Sequence, residues 1–243
     1  TGLGVKRIDK IQSKHSYFKD LENEYQFLKE LEGREYSVGR RKWTYKIIDS
    51  YSELETISFN EDIQTIGIFL SIEGLHALDC GMESSADRDT VLGNVSKLKS
   101  WENRIFFVTF SHHFYNELAG HARSLDSTMS KVIDQGPGLK TGFTDLGLEV
   151  LHKLLDTESG DPIFIDVKHM NVRTRREYYE ILESDYSSEK IPIIVSHGAV
   201  TGYYDEAEKQ ALPGQPQKFN SGNINFYDFE LLKIEETKGI FGL

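Results

Sequence analysis

The sequence predicts an α/β fold built as a (β/α)₈ barrel, and three observations lead there. Six short apolar runs rich in Ile, Val and Phe occur at residues 43–49, 65–74, 104–113, 162–169, 192–198 and 239–243. Most lack apolar–polar alternation, the mark of strands covered on both faces in a parallel sheet. Helical patterns lie between them, and strand, helix, strand is the order of right-handed βαβ units. The open doubly wound sheet shares this order but usually opens on a glycine-rich phosphate turn, and neither GxGxxG nor GxxxxGK[ST] occurs. The barrel is the expected architecture.

Taken in chain order, the first element is a helix over about residues 16–32. Phe18, Leu21, Tyr25, Leu28 and Leu31 recur at spacings of three or four, and Gly33 supplies a stop. "GREYSVGRRK" then reads as a basic, exposed connection, because acidic residues surround it. Residues 1–42 form an N-terminal helical segment of a single domain spanning 1–243. "DLGLEVLHKLLD" places Leu146, Val150 and Leu154 on one helical face, and "NVRTRREYYEIL" does the same for Val172, Tyr179 and Leu182. "FYDFELLKIEET" carries a weaker helical signal. Residues 80–103 and 123–144, rich in Asp, Ser, Gly and Asn, read as active-site loops, as does "GQPQKFNSGNINFYD".

Composition narrows the function. A hydrophobic content of 38% with 12% aromatics supports a packed core. A net charge of −11 leaves no basic stripe for phosphates, which argues against nucleic acid and anionic membranes and for a small-molecule or peptide partner. Cys80 is the only cysteine, so an internal disulfide is excluded, and the residue reads as a buried apolar one. No apolar stretch reaches the length of a membrane span.

The strand ends carry the chemistry. "FLSIEG" finishes on Glu73, "FVTFSHH" on His112 and His113, "FIDVKH" on His169 and "IIVSH" on His197. A parallel barrel gathers its C-terminal strand ends on one face. Carboxylate and imidazole are the ligands of borderline cations such as Zn²⁺, whose bound water becomes a nucleophile near neutral pH. Hydrolysis is the natural reaction class. Singly, each residue has a plainer reading: a histidine after a strand is usually a loop residue, and Glu73 before Gly74 suits a turn. His76, His121 and His152 lack the strand-end setting, and His152 reads as a surface or helix-packing residue. No GxSxG surrounds Ser196, which argues against a serine hydrolase. Asp166 and Lys168 alternate with Ile165 and Val167, so one of the two sets points inward.

"SIEGLHAL", "VTFSHHFYNELAGHARSL", "GLKTGFTDLGLEVLHKLLD", "IFIDVKHMNVRTRREYYEIL" and "IPIIVSHGAV", covering about residues 66–200, resemble the membrane dipeptidase (renal dipeptidase) family of zinc peptidases. The resemblance implies a TIM-barrel-type metallo-dependent hydrolase of the amidohydrolase-like superfamily, cleaving dipeptides with two zinc ions. By the same resemblance Glu73 bridges the two ions, and His169 and His197 complete the second site. His112, or His113 if the match slips by one, contacts substrate and stabilises the tetrahedral intermediate.

The departures are as informative. The family's first-strand His-x-Asp is absent, since His15 in "QSKHSYF" is neither on a strand nor followed by that aspartate. Its last-strand aspartate and its substrate-gripping arginine have no counterpart. With six strands where eight are needed, the expectation is a fragment or processed portion without the first and last barrel strands; the alternative is a degenerate relative that has lost one metal. The function alternatives are a non-catalytic binding or structural barrel, and a hydrolase of another amide or a lactone. A dipeptide is the expected partner, a homodimer is allowed, and the compartment stays open because any export signal would precede Thr1.

Overall fold

The computed structural model describes residues 16–57, 62–81, 85–125, 128–129, 133–211, 219–220 and 222–243, which leaves His15 outside the described residues. All six apolar runs contain strands. They are β2 (Arg41–Ile47), β3 (Ile63–Ile68) with β4 (Leu70–Glu73), β5 (Ile105–Thr109), β6 (Phe164–Asp166), β7 (Ile194–Val195) and β8 (Ile240–Phe241), preceded by β1 (Tyr36–Val38).

The strands form two sheets, β1-β2-β3 and β4-β5-β6-β7-β8, and every neighbouring pair is parallel except the β1–β2 hairpin. Phe69 alone separates β3 from β4, so one chain segment joins the sheets. Spatial order follows chain order with no reversal, as in a barrel and unlike a doubly wound sheet. No closed barrel forms among the described residues: β1 and β8 are edge strands.

The helices are α1 (Tyr17–Leu31), α2 (Tyr51–Thr56), α3 (Arg88–Lys99), α4 (Asp145–Leu155), α5 (Val172–Asp185), α6 (Glu206–Ala211) and α7 (Asp228–Glu236). Side-chain caps fix most of their starts: Ser16, Ser50, Asp87, Thr144 and Asn171 each accept a hydrogen bond from a backbone N–H three residues on. Ile72, Val108, Ile165 and Val195, one from each of four adjacent strands, are buried in one cluster with Leu151 and Leu154 of α4 and Tyr178 of α5. Among the described residues no helix is long and apolar enough to cross a membrane.

Two expectations need correction. "GREYSVGRRK" contains β1 and the start of β2, closed by a two-residue loop whose Gly39 sits at φ +63°, the geometry a tight hairpin requires. Its strand residues are exposed, so no burial pattern marked them. Residues 80–103, loop-like in composition, contain α3, whose Val91, Val95 and Leu98 face the core. Its Gly, Asn, Ser and Lys lie between those apolar positions and diluted the periodicity.

Candidate metal centre

Four consecutive parallel strands deliver their C-terminal ends to one place. Glu73 is the last residue of β4, and Gly74 turns the chain at φ +107°, where a Cβ would lie 3.1 Å from that of His112. His112 and His113 follow β5, His169 follows β6, and His197 follows β7. His112 Nε2 is 3.3 Å from Glu73 Oε1. The His169 ring centre lies 4.8 Å from that of His112, 5.0 Å from His113 and 5.5 Å from His197. All five strand-end residues named from sequence are therefore together. His76, set aside on sequence, also belongs here: its ring centre is 6.1 Å from that of His112. His152 is exposed and bonds Tyr186 at the end of α5, so it is at once a surface and a helix-packing residue, and Cys80 is buried against Leu75.

Glu73, His169 and His197 present ligand atoms all within 4.8 Å of one another, and so do His112, His113 and His169. Nitrogen donors with at most one carboxylate suit Zn²⁺ and other borderline cations; Mg²⁺ and Ca²⁺ want oxygen. His169 is buried, and its Nδ1 has no hydrogen-bond partner among the described residues. A buried orphan nitrogen is costly, and a cation would satisfy it, so the residues present fit the group.

Sequence reasoning missed the supports of these candidate ligands. Ile165, Asp166, Val167 and Lys168 are all buried, so the alternation never sorted an inward set from an outward one. The Asp166 carboxylate accepts four hydrogen bonds: from Thr109 Oγ1 (2.6 Å), Ser196 Oγ (2.6 Å), Ser196 N (3.0 Å) and Lys168 N (3.0 Å). Since the only hydroxyl proton of Ser196 goes to Asp166, its oxygen must accept from His197 Nδ1, 2.9 Å away. That fixes the His197 tautomer with a free lone pair on Nε2, the usual arrangement for a ligating imidazole. The available signal was Ser196 directly before His197 and Asp166 three residues before His169.

Burial first, then the neighbouring His112, His113, Lys168 and His197, pushes the pKa of His169 down to about 2. Burial, then His112 and His113, lowers that of His76 to about 4. His112 and His113 are also lowered, mainly by burial. These rings are neutral at pH 7, with lone pairs available. Their folded pKa values lie below the ordinary 6.5, so below that pH the unfolded chain binds more protons than the folded one. The metal-free chain should therefore be at full stability above about pH 6.5 and lose it as pH falls toward 4. Thermal melts across that range check this; a melting temperature flat from pH 7 to 4.5 would refute it.

Beside the rings lies a cavity of about 620 Å³, lined by His121, Arg123, Ser124, Asn171, Asn220 and Asn223 among others. Ser124 joins it to the centre, with Oγ 2.8 Å from His113 Nδ1. A cavity of similar volume, lined by Tyr179, Tyr186 and Pro192, lies at the N-terminal end of β7, away from the histidines. The wall of the first cavity is anchored by Arg175. Its guanidinium donates to both Glu230 oxygens (2.6 and 3.0 Å) and to the carbonyls of Met170 (2.8 Å), Asn223 (3.0 Å) and Asn225 (3.1 Å).

No protein-family model matches the chain, and no curated protein does. Among solved structures the chain is similar to the probable dipeptidase PvdM from Pseudomonas aeruginosa, with 17% identity and a TM-score of 0.49. That likeness covers 81% of this chain and 38% of the other, so the chain spans well under half of that protein's length.

Proposed function

We propose that the chain is a zinc-dependent hydrolase domain acting on the amide bond of small peptides, dipeptides first. The observation that supports this best is the convergence of Glu73, His112, His113, His169 and His197 from four successive strand ends onto one point beside a cavity. Glu73, His169 and His197 would hold the ion, which when bound polarises a carbonyl and supplies a nucleophilic hydroxide near neutral pH. His197 is held in the ligating tautomer by Ser196 and Asp166. His112 is poised to act on substrate. It is neutral at pH 7 and in hydrogen-bond range of Glu73, and once Glu73 is engaged its N–H is free to donate to a developing oxyanion. The cavity would take the rest of the peptide, and its asparagine amides offer donors and acceptors for peptide groups.

The test is hydrolysis of a dipeptide panel by the zinc-loaded chain, with a lactone and a cyclic amide alongside. Turnover of dipeptides, lost by at least about 100-fold in Glu73→Gln and His197→Ala, is expected. Turnover of the lactone or cyclic amide alone would keep the chemistry and change the substrate. Zinc bound with no turnover of any substrate would sink the enzyme and favour a binding protein.

A further inference from the structure

We propose that His112, His113 and His169 form a second seat for the cation, overlapping the first at His169; this rests on Glu73, His169 and His197 being the first seat. The three rings present nitrogens all within 4.8 Å of one another, with no carboxylate among them. His113 is not a loose loop ring. Its Nδ1 meets Ser124 Oγ at 2.8 Å, and Ser124 in turn accepts from Gln135 Nε2 at 3.0 Å. The same Gln135 amide donates to the His113 carbonyl at 2.6 Å, and its oxygen accepts from Leu125 N at 3.0 Å. Gln135 is only 2% exposed. A buried amide thus fixes the backbone of His113 and, through Ser124, the orientation of its ring; with Nδ1 engaged by Ser124, Nε2 is the nitrogen turned toward the other two rings' ion when the ring proton sits on Nδ1. The third ring, His169, is 4% exposed and has the orphan Nδ1.

The two seats cannot be filled together. A neutral imidazole has one lone pair, and serving two ions at once would require His169 to become an imidazolate. The five residues therefore hold one ion in either of two positions. The first is at the solvent edge, with Glu73 and His197 both exposed; the second lies deeper, among partly buried rings. The nitrogen-only donor set of the deeper seat selects Zn²⁺, Cu²⁺ or Ni²⁺ over Mg²⁺ and Ca²⁺.

Calorimetric titration of the metal-free chain with Zn²⁺ tests this, using His197→Ala, His113→Ala and the double variant. Neither residue is buried, so the folds should survive, which thermal melts confirm. Each single variant should still bind one ion per chain, more weakly, and the double variant should lose binding. If His197→Ala alone abolishes binding, there is no second seat and the first stands. If His113→Ala alone abolishes it, or if the double variant still binds, the two-seat arrangement is wrong, and in the first of these cases the Glu73 seat falls with it.

Discussion

Glu230→Ala is expected to lower the unfolding free energy by about 3–5 kcal/mol, the usual cost of stranding one partner of a buried ion pair. Arg175 and Glu230 side chains are both wholly excluded from solvent. The carboxylate also accepts from Tyr179 Oη at 3.0 Å and from Tyr227 N at 2.9 Å, and the guanidinium lies 4.6 Å from the Phe226 ring centre. Removing the acid leaves a buried cation with only carbonyls and a ring face around it. Urea unfolding should show a lower midpoint at unchanged slope. Replacing both partners, Arg175→Met with Glu230→Leu, should recover only part of the loss. The charge problem disappears, but the carbonyls of Met170, Asn223 and Asn225 lose their donors. A loss below about 1 kcal/mol in Glu230→Ala would mean that water reaches the pair.

Asp166→Asn is expected to weaken zinc binding by about 10–100-fold, though residue 166 is not itself a ligand. The four donors come from β5 and from the residues just after β6 and β7; the two backbone N–H groups cannot accept, so an amide would turn its NH₂ toward the hydroxyls of Thr109 and Ser196. Ser196 then loses the acceptor that fixes its proton, and His197 loses its tautomer. Ser196→Ala should reproduce the affinity loss with less damage to the fold. Nitrogen-15 NMR of the metal-free histidines gives a readout that mere loosening would not move: His197 should be protonated on Nδ1 in the native chain and mixed in both variants. An unchanged tautomer in Ser196→Ala would dispose of the relay.

The parallel strands were legible because burial on both faces demands uninterrupted apolar residues, and "RIFFVTF" or "PIIVS" admits few other readings. Strand β1 was not, since Tyr36, Ser37 and Val38 are all exposed and nothing in their order records the hairpin. The candidate ligands were legible as strand ends because the fold itself collects such ends. Their supports come from farther along the chain: Gln135 reaches His113 from 22 residues away and Ser196 reaches Asp166 from 30. Arg175 stands between Arg173 and Arg176 in a run that looks solvated. Only its spacing, three after Val172 and four before Tyr179, places it on the buried face, and no local pattern announces that Glu230 waits there.

His169 sits at φ +67°, backbone territory where glycine is at ease and a side chain costs about 1 kcal/mol. The residue proposed to serve both seats is thus held where the chain would be more comfortable with no side chain at all. Selection for a sturdier molecule and selection for chemistry pull this position in opposite directions. If the proposed seats are right, a lineage released from metal binding would gain by drifting to glycine here, so this residue should be among the first to change in relatives that bind no metal. Persistence of histidine at this turn across divergent relatives would be a more sensitive sign of metal binding than persistence of the exposed Glu73, which costs the fold little to keep.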